Sequence, residues 1–274
     1  MPFTLPGPLP SSRPCSSLHQ NRETRVALVR LSAALLFSCT SISATAGEIT
    51  VSAASSLTQA FSEIARNYEA RHPDASVSLN FAASGALLAQ IGRGAPVDVL
   101  ATADQETMNR AEQQGLIAPG SRQDFTANQL VVITPADSRL SLTTLASLHS
   151  PDVQKIALGN PASVPAGRYA KTSLESTGHW NALSGKFIHT QNVRQSLDYV
   201  SRGEVDAGFV YATDAHIGKD KVKTAFQVPA GVPVTYPIAL TRHAADETEA
   251  RRFIAHVLSP EGQAVLKKFG FRKP

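Results

Sequence analysis

Glu48-Ile-Thr-Val51, then Ser52-Ala-Ala-Ser-Ser56, then Leu57 to Arg71 is the stretch from which the fold is read. The first piece is a short apolar strand. In the last, Leu57, Ala60, Phe61, Ile64, Ala65 and Tyr68 recur at the spacing of one helical face. Only small residues separate the two, so a strand turns directly into a helix. The same unit returns downstream. Val77-Ser-Leu-Asn-Phe81 leads through Ala82-Ala-Ser-Gly85 into a short helix carrying Leu87, Leu88 and Ile91. Val97-Asp-Val-Leu-Ala101 leads into a helix from Asp104 to Gln114, closed by Gly115. Strands alternating with amphipathic helices predict an α/β fold.

Further along, strands are expected at Leu130–Ile133, Lys155–Leu158, Ala207–Tyr211, Phe226–Val228 and Val234–Leu240. Helices are expected at Ala166–Ser176, Val193–Ser201, Asp246–Leu258 and Glu261–Phe269. No internal repeat, Gly/Ser linker or charge block divides the chain, yet about 228 residues after position 46 suffice for two lobes. The expected division is residues 47–129 with 237–274 in one lobe and 130–236 in the other, with crossings near Asn128–Leu130 and Tyr236–Ile238.

Charge narrows the function. The whole chain has 26 Lys plus Arg against 22 Asp plus Glu, and two Cys. Residues 1–46 hold Arg13, Arg22, Arg25 and Arg30 against Glu23 alone, and both cysteines. The remainder carries 22 basic and 21 acidic residues. A polycationic nucleic-acid binder is therefore disfavoured. A disulfide scaffold and a Cys-ligated metal site are excluded beyond residue 46. An apolar content of 42% with 18% charged residues fits a globular core.

The first 46 residues read as an export address. Arg22, Arg25 and Arg30 precede the uncharged run Leu31–Cys39, and Ala44-Thr45-Ala46 is a small-x-small end, with cleavage expected after Ala46. Leu36-Phe37-Ser38-Cys39 also resembles a lipobox, in which Cys39 carries lipid, although Phe37 fits that pattern poorly. Both readings place the mature chain outside the cytoplasm, and no later segment is long and apolar enough to span a membrane.

Enzyme signatures are missing: there is no G-x-S-x-G, P-loop, G-x-G-x-x-G or H-E-x-x-H. His72, His149, His179, His189, His216, His243 and His256 are scattered and read as surface residues. Asp104 opens a helix and reads as a cap or first-turn acid, not as half of a dyad with Asp98. The informative places are the strand-to-helix junctions at Ser56, Ser84, Pro165-Ala166-Gly167 and Asn192-Val193. Each exposes backbone N–H groups at the positive end of a helix dipole, where an anion binds readily. Taken singly, each has a plainer reading. Ser56 with Gln59 spells a capping box. Gly85 admits close backbone approach by a ligand. Arg168 is either an anion clamp or a solvent-facing residue, and Tyr211 by itself reads as a half-buried Tyr at a strand end.

Together these segments resemble the periplasmic molybdate-binding proteins of ABC transporters. The likeness runs from Ile49-Thr-Val-Ser-Ala-Ala-Ser-Ser-Leu-Thr58 through Phe81-Ala-Ala-Ser-Gly85, Gly94-Ala-Pro-Val-Asp-Val99 and Ala103-Asp-Gln105. It continues with Gly159-Asn-Pro161, Val164-Pro-Ala-Gly-Arg-Tyr-Ala170, Asn192-Val-Arg194, Val210-Tyr211, Asp214-Ala215 and Tyr236-Pro237. It closes at Ser259-Pro-Glu-Gly-Gln263 and Phe269-Gly-Phe271, so that it covers essentially the whole mature chain. The opening A-A-x-S-L-T and the V-P-A-G-x-Y-A piece are the specific parts.

The resemblance implies a two-lobed type II periplasmic-binding fold that is not an enzyme, with mixed sheets flanked by helices and ligand in the cleft. By the same resemblance Ser56 and Ser84 donate through hydroxyl and backbone N–H, Ala166 and Val193 through backbone N–H, and Tyr211 through its hydroxyl. Ser55 stands where relatives often have Ala, so the register between Ser55 and Ser56 stays open; Ala212-Thr213 replaces a common Gly-Ser pair. The implied ligand is molybdate or tungstate, bound as the oxyanion, with no metal coordinated directly by protein and no cofactor. The implied setting is a periplasmic monomer serving an ABC permease in the inner membrane. A sulfate or thiosulfate binder, a sensory module of the same fold and an exported hydrolase using Ser56 or Ser84 are the alternatives.

Donor chemistry agrees with the resemblance. Four backbone N–H groups and three hydroxyls would meet four oxygens without any Lys or Arg. A donor-only site disfavours hydrogen phosphate, whose own proton would lack an acceptor. Sulfate offers only acceptors, so cavity size must reject it.

Overall fold

The computed structural model describes residues 47–274; the expected leader, its expected cleavage after Ala46 and Cys39 lie outside them. The opening unit folds as its pattern predicts. Strand β1 (Gly47–Ala54) has only Glu48 exposed, and a 3₁₀ turn at Ser55–Leu57 leads into α1 (Thr58–Arg71). Helix α1 buries Ala60, Phe61, Ile64, Ala65 and Tyr68, the apolar stripe expected from the spacing. It returns the chain so that β2 (Ala75–Ala82) lies parallel to β1, with Gly47 opposite Ala75 and Ala54 opposite Ala82. Helix α2 (Ser84–Gly92) carries the chain to β3 (Val99–Ala101), parallel to β1 on its other side. Helix α3 (Gln105–Gln113) and β4 (Gln123–Asn128) follow.

At Gln129 the chain leaves this sheet. Strand β5 (Leu130–Pro135), β6 (Ile156–Gly159), α4 (Pro165–Ser176), α5 (Trp180–Leu183), β7 (Phe187–Thr190), α6 (Val193–Ser201), β8 (Ala207–Tyr211), α7 (Ala212–Ile217) and β9 (Val222–Gln227) build a second unit. The chain then returns for β10 (Val234–Leu240), α8 (Glu247–Leu258) and α9 (Pro260–Lys268). The two five-stranded sheets run β2-β1-β3-β10-β4 and β7-β6-β8-β5-β9. In each, three parallel strands are extended by antiparallel ones: β10 lies antiparallel to β3 and β4, and β5 antiparallel to β8 and β9. We call each sheet with its helices a lobe.

The second crossing differs from the expectation. Because β10 pairs with the first sheet from Val234 onward, the chain crosses at residues 228–233 and not at Tyr236–Ile238. The apolar run Tyr236–Leu240 marks the strand's buried centre, and its start is set by pairing with Asn128 and Ala127 across the sheet. Strands β4 and β7 carry no apolar alternation in sequence, since both are sheet edges with exposed residues. In β4, the buried Phe125 packs edge-on against Phe61 with ring centroids 5.7 Å apart. Phe253 of α8 lies 6.4 Å from Phe61 and 5.4 Å from Tyr68, which locks the terminal helices onto α1. No helix among the described residues is long and apolar enough to cross a membrane.

Candidate functional site

The parallel strands of both sheets end at the same place. Strand β1 ends at Ala54 before Ser55-Ser56, β2 at Ala82 before Ser84, and β3 at Ala101 before Ala103 and Asp104. In the other lobe β6 ends before α4, β7 before α6, and β8 at Tyr211. Carboxyl ends of parallel strands are where open α/β sheets form ligand crevices. Here the two sets converge on a small, tightly closed cavity lined by Ser55, Ser56, Ser84, Val193 and Tyr211 among others. Of the five expected site residues, Ser56, Ser84, Val193 and Tyr211 line it directly. Ala166 follows the lining residue Pro165 as the second residue of α4 and is itself buried. Ser55 lines the cavity beside Ser56, so both registers reach it.

Helix starts at this cavity are bare. The 3₁₀ turn at Ser55, α1, α2 and α4 have no side-chain cap. In α2 the N–H of Gly85 goes to Ser163 O at 3.0 Å, and those of Ala86 and Leu87 go to Ala83 O. Ser84 is then the first-turn donor left over. In α4, Pro165 has no N–H and Arg168 N–H donates to Val164 O, which leaves Ala166 and Gly167 beyond the reach of an intrahelical acceptor. In α6 the cap Asn192 accepts from Gln195 N–H at 3.0 Å and leaves Val193 at the helix head.

The capping box expected at Ser56 does not form. Ser56 Oγ is instead 3.0 Å from Tyr236 Oη, and Gln59 Oε1 is buried without a partner. This correction has a functional side. Asn128 Nδ2 donates to Tyr236 Oη at 3.3 Å, which occupies an acceptor site of that hydroxyl. Tyr236 can then donate its O–H to Ser56 Oγ, leaving the Ser56 O–H to face the cavity. Ser84 follows the same logic: its Oγ accepts the Ala103 N–H at 3.0 Å, so its proton is unspent. Tyr211 Oη donates to Ala103 O at 3.4 Å, a long bond that a better acceptor would displace. Burial pushes the hydroxyls of both Tyr211 and Tyr236 well above the usual tyrosine range, so both stay protonated and able to donate.

The two nearby arginines do not enter the cavity. Arg168, open between clamp and solvent in the sequence, does neither. It turns to the first lobe, where its Nε donates to Asp104 Oδ2 at 2.8 Å. Arg194 donates through NH2 to Ser56 O at 3.0 Å, and its Nε lies 2.7 Å from Asp214 Oδ1 as an ion contact without hydrogen-bond alignment. Burial raises the Asp214 carboxyl, while Arg194 and the Tyr211 N–H oppose that rise. Each guanidinium is thus matched by a carboxylate, and the donors left facing the cavity are neutral. Among the described residues no cluster of three His, Cys, Asp or Glu side chains could hold a metal ion.

Gly85 also departs from its expected role. A Cβ there would sit 2.7 Å from Ser163 O, so the glycine admits the second lobe's backbone and not a ligand. Asp104 is a cap, as expected: its Oδ1 accepts from Thr107 N–H at 3.3 Å. Sequence reading passed over Asn128, Tyr236 and Ala103 because their roles arise from partners more than a hundred or some twenty positions away: Asn128 and Tyr236 are 108 apart, Ala103 and Ser84 are 19 apart. Ala103 and Tyr236 fell within the segments that carry the resemblance, but nothing in their spacing assigned them these partners.

A family model for bacterial extracellular solute-binding proteins matches residues 49–272. A putative ABC transporter substrate-binding lipoprotein of Bacillus subtilis is 36% identical over 225 residues, covering 81% of this chain and 85% of that protein. The molybdate-binding protein of Escherichia coli is 34% identical, covering 82% of this chain and 89% of the relative. Among solved structures, the substrate-binding domain of a putative molybdenum ABC transporter from Clostridium difficile superposes with a TM-score of 0.64 at 32% identity, covering 83% of this chain and 99% of that one.

Proposed function

This chain belongs to the bacterial extracellular solute-binding protein family, and on that premise we propose that it captures molybdate outside the cytoplasm. The observation that carries the reading is the donor-rich cavity: bare helix starts at Ser56, Ser84 and Ala166, the hydroxyls of Ser56 and Ser84 each able to accept elsewhere and donate into it, and Tyr211 Oη held only by a long bond to Ala103 O. A dianion buried without partners would cost tens of kcal/mol. Charge-assisted bonds to it are roughly twice as strong as neutral ones, so seven such donors supply the compensation. Relatives whose names state molybdate binding support the choice of ligand.

In this reading tungstate binds as well, because it matches molybdate in shape and charge. Hydrogen phosphate is disfavoured by its proton, and sulfate by its smaller size. The protein works as a periplasmic monomer, and its two lobes close about the crossings at Gln129 and residues 228–233. The closed form then presents one surface to an ABC permease. A serine hydrolase is disfavoured because the hydrogen-bond partners of Ser56 and Ser84 are Tyr236 and the Ala103 N–H, neither of which is a general base.

Isothermal titration of the mature protein with molybdate, tungstate, sulfate and phosphate tests the reading. Tight binding of the first two with weak binding of the others is expected. Preference for sulfate, or no binding at all, overturns it.

A further inference from the structure

Helix α4 brings Pro165 to the cavity and, three residues later, Arg168 to the opposite lobe. The Arg168 guanidinium spreads its donors over two elements. Nε and NH2 reach Asp104 Oδ2 at 2.8 and 2.6 Å, and NH2 donates to Thr107 Oγ1 at 2.7 Å. NH1 donates to Pro161 O at 3.2 Å within its own lobe. Glu106 adds a second carboxylate at 3.5 Å from Nε. The Arg168 and Asp104 side chains are 13% and 5% exposed, so the pair is largely shielded from solvent screening.

Its first-lobe partner is tied to the cavity as well. Asp104 caps α3 through Thr107 N–H and directly follows Ala103. Ala103 in turn donates to Ser84 Oγ and accepts from Tyr211 Oη. One ion pair therefore links the backbone that presents Ala166 to the backbone that sets Ser84. These bonds join residues of different lobes, so they exist only while the lobes lie against one another.

We infer that Arg168 is a positioning residue of the binding site: by gripping Asp104 and Thr107 it holds the start of α4 against the first lobe and sets how long the anion stays bound. The inference rests on the anion-binding reading above. It makes no contact with the ligand necessary. A bond present only in the closed form stabilises that form, so its loss speeds escape and leaves the encounter of ligand with the open form unchanged. Arg194 also crosses between lobes, but its carboxylate partner Asp214 is fully buried in its own lobe, so its removal would perturb folding too.

The test compares R168Q and R168K with the natural mature protein, with molybdate and tungstate as probes. Stopped-flow tyrosine fluorescence gives the rates and thermal melting gives ligand-free stability. For R168Q we expect dissociation roughly ten- to a hundredfold faster and association within about threefold. The molybdate-to-tungstate affinity ratio and the ligand-free Tm should stay put. R168K should recover part of the loss, since an ammonium reaches Asp104 but cannot span Asp104 and Thr107 as the planar fork does. Dissociation of R168Q within about twofold of the natural protein overturns the inference, as does a loss of binding matched by a fall in ligand-free Tm. If the natural protein binds neither oxyanion, the functional reading falls and this inference with it; if it binds and R168Q is unchanged, only the inference falls.

Discussion

Helix starts in this molecule come in two kinds, capped and bare, and the clearest contrast lies between the terminal helices and α2 and α4 at the cavity. In the terminal helices the first turns are closed by side chains: Asp246 accepts from Glu249 N–H at 2.9 Å to cap α8, and Ser259 accepts from Gly262 N–H at 3.3 Å to cap α9. At the cavity, the 3₁₀ turn at Ser55, α2 and α4 start without a cap, behind Ala54, Ala83 and Val164. A missing cap costs about 1 kcal/mol of stability, so three bare starts are a standing expense in folding. On the proposed reading, what the chain gains is a set of first-turn N–H groups beside the cavity left for an anion. Asn192 shows the intermediate case, closing the third N–H of α6 while leaving Val193 at the head of the helix.

Capping a bare start should break this division most severely. Ser56→Asp puts a carboxylate where the anion's charge would lie, and like charges so placed cost several kcal/mol. Molybdate affinity measured by titration is expected to fall by more than about a thousandfold, while the ligand-free protein melts no lower than the natural one. Retained binding would mean that Ser56 does not face the ligand.

Tyr211→Phe is the milder test on the same side. It removes one hydroxyl donor whose present bond is long and weak, so folding should hardly change. Affinity should drop by about 1.5–3 kcal/mol, the worth of one hydrogen bond to a charged group. An unchanged titration would remove Tyr211 from the site.

On the capped side the expectation reverses. Asp246→Ala should cost about 1 kcal/mol, or about 2–4 °C in Tm, with oxyanion affinity untouched. A matching loss of affinity would show that capped and bare starts are not separate in function.

Smallest of all is the effect of pH. The Tyr211 and Tyr236 hydroxyls are raised by burial, so moving toward alkaline pH does not strip their protons. The Asp214 carboxyl is also raised, chiefly by burial. An acid with a raised folded pKa favours the fold below its unfolded value and loses that contribution as pH rises through the folded value, so any change from Asp214 begins on the acid side. Titrations between about pH 7 and 9 should therefore give a flat affinity. A decline across that window would reveal a donor losing its proton.

Much of this was legible in the chain. The stripe from Leu57 to Tyr68 named α1 and its buried face, and the junction residues Ser56, Ser84, Pro165 and Val193 were found where the cavity forms. Edge strands β4 and β7 were not legible, because an edge strand needs no apolar alternation to pair. The Ser56–Gln59 motif misled: it spells a capping box, but Tyr236 competes for the serine hydroxyl from 180 positions away. Gly85 misled in the same way, since its partner Ser163 belongs to the other lobe.

Local pattern alone determined which residues form strands and helices, and which helix starts carry small residues instead of caps. Those properties depend on periodicity and on neighbours within about a turn of chain. Tertiary structure decided where the freed groups point. It set the Asn128–Tyr236–Ser56 chain that turns a hydroxyl toward the cavity, and it drew Arg168 and Arg194 onto Asp104 and Asp214. A hydrogen bond or an ion pair is a statement about distance in space, and no spacing along the sequence contains it until two sheets have been brought together.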